Sequence, residues 1–292
     1  MDAQKKSAQR NAIELANRYS ERFRIVEVAA IGVFFLLLGC LVYQLWDPTR
    51  RSPWLVVSAV LVAYLAADFV SGFVHWMGDT WGTPEWLIIG EALIRPFREH
   101  HVDQKAITRH DFVETNGSNC LISIPVAVGA LIIPLRGNDS LSIFAVSFLG
   151  SLIFWVFATN QFHKWAHLSD PPLLVAWLQR LHLVLPPEHH AIHHTAPFSK
   201  YYCITVGWLN WPLTKLRFFV ALEHLISMLT GALPRHDDIG ELAARDTHRP
   251  RPDAGGYPSE GTSTCSASSS GFPRKRAATA TNEPGESVTR YR

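Results

Sequence analysis

The chain gathers its apolar residues into blocks too long for the core of a soluble fold. Ile25 to Trp46 (IVEVAAIGVFFLLLGCLVYQLW) carries one charge, Glu27, near its start. As a helix it is long enough to cross the roughly 30 Å hydrocarbon layer of a bilayer. Pro53 to Trp76 forms a second block, interrupted by Asp68 and His75 toward its C-terminal end. Cys120 to Leu135 is a third, shorter than the roughly 20 residues of a full span, so that a crossing requires tilt or a locally thinned bilayer. Ser140 to Phe162 is the fourth. Polar turns at Asp47-Pro48 and Gly137-Asn138-Asp139 join the blocks in pairs. The expected fold is an all-α integral membrane protein with four transmembrane helices in two hairpins, and an even number of crossings puts both termini on one side.

Basic residues choose that side. The short turns hold only Arg50, Arg51 and Arg136, whereas the amino-terminal arm holds Lys5, Lys6, Arg10, Arg18, Arg22 and Arg24. The positive-inside rule then places both termini, the loop from Met77 to Asn119 and everything after His163 in the cytoplasm. No cleavable signal is visible, because the first apolar stretch is too long and has no small-residue cleavage site. The expected organisation is a basic arm over 1–24, a four-span domain with a cytoplasmic cap over 25–244, and a disordered tail over 245–292 dominated by Pro, Ser, Thr, Ala and Gly. Trp86 to Phe97 and Pro172 to Leu185 are apolar but too short to cross. They read as helices in the membrane interface with Arg95 or Arg180 at the water side, or as core helices of the cap. Ala and Arg richness in the flanks points to a bacterial cytoplasmic membrane; in a eukaryote the same topology suits the endoplasmic reticulum.

Composition removes other classes. A net charge of +2 with no basic cluster among aromatics excludes nucleic-acid binding. The cysteines at 40, 120, 203 and 265 form no CxxC pair, so thiolate chemistry is not expected.

The 14 histidines collect at the expected cytoplasmic ends of the spans. His75 and Asp79 are four apart, as are His163 and His167, so each pair shares a helix face. His190, His193 and His194 fall at i, i+3 and i+4, which on a helix turns all three to one side. His100 and His101 are neighbours and diverge by roughly 100° on a helix, so one can serve each of two metals. Eight histidines and one carboxylate exceed the coordination of one metal, and neutral imidazole suits zinc, copper, iron or nickel. A single histidine near a membrane boundary is more often an interfacial residue than a ligand; it is the recurrence of four groups on one side that favours a metal centre. His110, His182 and His189 are expected to be supporting or structural, and His224, His236 and His248 have no partner pattern. Asp111, Glu114 and Asn116, with Asn160, are candidates to orient ligand histidines through the second ring nitrogen, Asp111 to Asn116 having helix capping as the alternative. Asp68, a carboxylate within an apolar span, is a functional candidate by default, though it lies close enough to the cytoplasmic end to reach the interface.

Four crossings with separated histidine boxes resemble the membrane fatty-acid desaturase and hydroxylase superfamily. The strings DFVSGFVHWMGDTWG (68–82), RPFREHHVDQKAITRHDFVETNG (95–117), NQFHKWAH (160–167) and LPPEHHAIHHTAP followed by YYCITVGWLNWPL resemble the Kua family, over roughly Asn17 to Asp238. That family includes plasmanylethanolamine desaturases of animals and bacteria and a plastid lipid desaturase. The resemblance implies a di-iron centre, with two iron ions on His75, His100, His101, His163, His167, His190, His193 and His194. Asp79 stands where other desaturases of the superfamily have a further histidine, and Phe97 occupies the first position of an expected HxxHH box. It also implies oxygen-dependent conversion of a 1-O-alkyl ether phospholipid, plasmanylethanolamine, into its vinyl ether, with O2 as co-substrate and the reacting carbons in a slot between spans two and four. With no Gly-rich cofactor fingerprint in the chain, electrons are expected from a separate carrier, cytochrome b5 or a ferredoxin. The rival readings are an acyl-lipid desaturase or hydroxylase, a divalent-metal transporter, which should put polar ligands at the bilayer midplane, and a zinc hydrolase, for which HExxH is missing.

Overall fold

The computed structural model describes residues 13–235 apart from 88, 136–138 and 196–197. The expected disordered tail, the basic residues at 5, 6 and 10, the tip of the second turn, and the histidines at 236 and 248 lie outside the described residues. Within them the fold is helical throughout, with no strand.

Helix α1 (Glu21–Arg51) starts at Ser20, whose hydroxyl accepts from the Phe23 amide at 3.1 Å, the geometry of an N-cap. After the single residue Ser52, α2 (Pro53–Thr80) begins on a proline, which costs nothing in a first turn where the amide has no intrahelical acceptor. A π-helical turn (Gly90–Ile94) runs directly into α3 (Arg95–Val102), followed by α4 (Ala106–Arg109) and α5 (Phe112–Leu131). The long α6 (Ser140–Ala166), the short α7 (Leu173–Arg180), α8 (Pro187–Ala191) and α9 (Asn210–Lys215), and then α10 (Phe218–Thr230) complete the order. Helices α1, α2 and α6 are each long and apolar enough to cross a membrane.

Asp47-Pro48, expected as a turn, lies inside α1, and the long helices do not pack as two separate pairs. Helix α1 packs along α5, α2 along α6 and α5 along α6, while α1 and α2 share little contact. Ala30, Phe34 and Leu41 of α1 meet Cys120, Ala127 and Ala130 of α5 and Val146 and Ile153 of α6. Large apolar residues such as Leu36, Tyr43 and Leu61 face outward, as they do on helices whose solvent is lipid.

The third apolar block is part of a longer helix than expected. Helix α5 starts eight residues before Cys120, where the Asp111 carboxylate accepts from the Glu114 amide at 3.0 Å, and stops short of Leu135. Its polar residues Thr115, Asn116, Ser118 and Asn119 are buried, and neighbouring helices satisfy several of them. Ser118 donates to Glu27 at 2.8 Å, and the Asn119 amide donates to the Val156 carbonyl at 2.7 Å. Glu27, the one charge of the first block, is 1% exposed and also accepts from the Tyr19 hydroxyl at 2.5 Å. A buried carboxylate without such donors would cost several kcal/mol, on the order of the desolvation of an unpaired charge. Gly117 is required by this approach, since a Cβ there would stand 2.4 Å from Glu27 Cβ.

The segment around Arg95 fits the second of its two expected readings, a buried core helix, rather than the interfacial one. Arg95 does not reach water: it is 2% exposed and lies between Glu99 (2.8 Å) and Glu114 (2.7 Å), 5.0 Å over the Tyr19 ring. Two carboxylates and an aromatic face replace the solvent that the interfacial reading supplied. In the other short segment, α7 buries Val175 and Gln179 and exposes Leu173, Leu174, Trp177 and Arg180. Helix α10 was not foreseen. It packs Phe219 on Trp76 and Tyr202, exposes Met228 and Leu229, and ends at Gly231, whose φ of +71° suits only glycine without strain.

Candidate metal centre

Four short stretches deliver the polar side chains to one place. Helix α2 runs on past the second apolar block, so His75 and Asp79 occupy successive turns of one helix. The end of α6 carries His163, with His167 at its C-cap. Helix α3 supplies His100 and His101, and α8 with the turn after it supplies His190, His193 and His194. Ligand-capable atoms of His100, His163, His167, His190 and His194 all lie within 4.8 Å of one another, and so do those of His75, Asp79, His101 and His193. All nine residues singled out from the sequence therefore fall into two groups, of five and four.

The division follows backbone geometry. Adjacent on α3, His100 and His101 turn to different groups. The three histidines of the last box do not all face one way: α8 ends at Ala191, and the turn that follows sends His193 Nε2 to 3.1 Å from His101 Nε2, while His190 and His194 join the five-histidine group. Phe97, in the place of the missing box histidine, lies flat on the His75 ring with centroids 4.7 Å apart.

Within the larger group the Nε2 atoms crowd together, His163 to His190 at 2.9 Å, His190 to His167 and to His194 at 3.0 Å each, and His163 to His167 at 3.2 Å. Burial pushes the imidazoles of His100, His101 and His190 well below their usual range, and it takes His167 to about 3 and His194 to about 2. The rings are therefore neutral. Three of the nine residues have a Nδ1–H donated to a backbone carbonyl: His75 to Tyr202 (3.1 Å), His100 to Pro96 (3.2 Å) and His193 to Lys200 (3.0 Å). That tautomer leaves a bare lone pair on Nε2, and the Nε2 atoms of His75 and His100 are buried without a hydrogen-bond partner. Converging lone pairs repel unless a cation sits among them, so the donor set fits metal binding. Nitrogen with one carboxylate and no thiolate suits iron, copper or zinc.

The supporting candidates are placed as follows. His110 Nε2 lies 3.1 Å from Glu99 and 3.5 Å from Glu114. These three form a further potential ligand group, but the Arg95 guanidinium already supplies its cation. Asp111 caps α5 and pairs with Arg24 at 2.6 Å. Asn116 donates to the Phe112 carbonyl and Asn160 to that of Thr115, both at 3.0 Å. Asn160, His110 and Glu114 border a cavity of about 30 Å³ that reaches His100 and His163, room for a water molecule or two. This cavity lies among the π-turn, α3, α5 and α6. The His189 ring lies tilted against that of Tyr201, with centroids 4.8 Å apart. Exposed His182 accepts a hydrogen bond at its carbonyl from the Trp208 indole. Sequence reasoning missed Arg95 as a buried cation, Glu99, and the carbonyls of 200–202. The nearest signal for that loop was Asp68, which is 0% exposed and accepts from three of its amides.

Bilayer-length helices whose ends carry two adjoining histidine groups compatible with a metal centre define a class of helical membrane protein. The chain belongs to the lipid desaturase family, whose domain matches residues 64–237. It is 62% identical to the plasmanylethanolamine desaturase of Myxococcus xanthus over 84% of this chain and 86% of that one. It is 42% identical to plasmanylethanolamine desaturase 1 of Mus musculus over 78% and 86%, and 33% identical to chloroplastic fatty acid desaturase 4 of Arabidopsis thaliana over 59% and 52%. No solved structure matches the chain.

Proposed function

We propose that the protein is a plasmanylethanolamine desaturase, an oxidoreductase that introduces the vinyl ether double bond into 1-O-alkyl phospholipids and so makes plasmalogens. The observation that carries this reading is the gathering of all nine histidine-box residues into two groups, in a chain 62% identical to a protein of that name. The five-histidine group holds one iron, and His75, Asp79, His101 and His193 hold the other. When bound, such a pair supplies the oxidising power needed to take two hydrogens from adjacent unactivated carbons. Overall, the alkyl chain loses two hydrogens, and dioxygen, with two electrons and two protons from outside, leaves as two waters.

Burial keeps the imidazoles of His100, His101, His167, His190 and His194 neutral, and the carbonyls of Pro96, Lys200 and Tyr202 point Nε2 of His100, His193 and His75 inward. Phe97 screens one face of His75 from water. Helix α5 is the fourth span beside α1, α2 and α6, its polar first turns at the cytoplasmic end. Both termini and the histidine cap lie in the cytoplasm, where cytochrome b5 or a ferredoxin delivers electrons. The outward Leu173, Leu174 and Trp177 of α7 rest in the interface, keeping the cap against the lipid head groups.

Expression in cells that make alkyl ether lipids but no vinyl ethers tests this directly, read by mass spectrometry of acid-labile phospholipid. Vinyl ether should appear with the wild type and not with His193→Ala. Unchanged ether lipids beside newly desaturated ester-linked chains would replace this reading with an acyl-lipid desaturase.

A further inference from the structure

Asp68 sits in the middle of α2, two helical turns before His75, and is the one charged residue between Pro53 and Val74. Its Oδ1 accepts from the amides of Val206 (2.9 Å) and Gly207 (2.8 Å), and its Oδ2 from that of Leu209 (3.0 Å). One carboxylate thus organises a loop that no regular element holds. The same loop is tied to α2 by Ile204, whose amide donates to Ser71 Oγ at 3.1 Å, and by Thr205, whose hydroxyl donates to the Ala67 carbonyl at 3.3 Å. Asn210 closes it from the other side, accepting from the Cys203 amide at 2.7 Å and donating to the Cys203 carbonyl at 2.9 Å. The approach is so close that a Cβ on Gly72 would stand 2.4 Å from Cys203 Sγ, and Gly207 adopts a φ of +79° to complete the turn.

The loop's start is where it meets the metal site. The Lys200 carbonyl accepts from His193 Nδ1 and the Tyr202 carbonyl from His75 Nδ1. Both histidines belong to the four-residue group. In the five-histidine group the one Nδ1 bound to a carbonyl among the described residues, that of His100, uses Pro96 of its own helix.

We propose that Asp68 is a positioning residue for the four-residue group alone: by fixing the 200–209 loop it aims the Lys200 and Tyr202 carbonyls, which turn Nε2 of His193 and His75 toward a shared metal. The inference rests on the metal reading above. Loss of an outer partner of a metal-bound histidine typically costs 10–100-fold in affinity or activity. Here one carboxylate governs two such partners at once. Asn in place of Asp68 keeps the shape but brings an amide NH2 against the amides that the carboxylate accepted.

The test is metal content per chain of the purified full-length protein loaded with ferrous iron, measured by elemental mass spectrometry together with the thermal midpoint. His193→Ala and His167→Ala serve as references for the two groups. Asp68→Asn should lower bound iron from about two to about one per chain and vinyl ether formation by at least about 10-fold. Combined with His193→Ala it should remove no further iron, and combined with His167→Ala it should remove nearly all. Retention of both irons with undiminished turnover would overturn the proposal, and so would equal loss from both groups, which is what a general weakening of the fold produces. If Asp68→Asn does not fold, Ser71→Ala, which removes a single tie to Ile204, carries the same test: a partial loss confined to the His193 group supports it, and an equal or absent loss overturns it. A wild-type protein that binds no iron would overturn the metal reading itself, whereas two irons in the wild type and two in both variants would overturn this inference only.

Discussion

Replacing His190 with alanine is expected to reduce vinyl ether formation by more than about 100-fold, beyond the range seen when only an outer partner of a metal ligand is lost. The residue is the hub of its group: its Nε2 lies 2.9 Å from that of His163 and 3.0 Å from those of His167 and His194. The other members of the group converge on the same small volume. Iron content should fall with activity, while the thermal midpoint of the metal-free protein should change little, since removing one imidazole from a crowd of mutually repelling lone pairs relieves strain there. His224→Ala, exposed on α10, is the matched control and should retain wild-type activity. A His190→Ala protein with full turnover would mean that the five histidines are structural.

The second large effect falls on stability. Arg95→Met leaves Glu99 and Glu114 facing each other and His110 without the guanidinium that binds both carboxylates at 2.8 and 2.7 Å. Removing one partner of a buried charge network costs about 3–5 kcal/mol, because the surviving charges stay desolvated. Arg95→Lys should recover only part of this, since one ammonium cannot reproduce a fork that serves two carboxylates. Denaturation of the detergent-solubilised protein measures both. The metal centre should suffer as well, because Arg95 opens the helix that carries His100 and His101. Unchanged stability in Arg95→Met would show that water enters this region and screens the carboxylates.

Much of the site was legible because helical periodicity and burial leave marks in sequence. His75 with Asp79 and His163 with His167 stand one turn apart at the ends of apolar blocks, and each pair does lie together in the folded chain. The adjacent His100 and His101 split between groups as divergence on a helix requires. His193 could not be assigned in this way, because the helix under it stops at Ala191, and helix ends are set by neighbours rather than by local pattern. The third apolar block, the core of α5, was cut short for a related reason. Thr115, Asn116, Ser118 and Asn119 lower the hydropathy of its first turns, yet partners on other helices bury them, Glu27 and the Val156 carbonyl among these. Arg95 looked like a residue for the water side because its counter-charges stand 4 and 19 positions away, and only the fold brings the second one near. Backbone carbonyls such as those of Lys200 and Tyr202 have no signature in side-chain identity at all, so the atoms that orient His193 and His75 had to be seen.

The most direct measurement is reconstitution of the purified, iron-loaded protein with a 1-O-alkyl phospholipid and an electron donor, in air and under argon, following vinyl ether by mass spectrometry. Vinyl ether that forms in air, disappears under argon and tracks iron content across the wild type and His190→Ala is the predicted result. Formation at the same rate without dioxygen, or no formation from a protein holding two irons and a competent donor, would contradict the assignment.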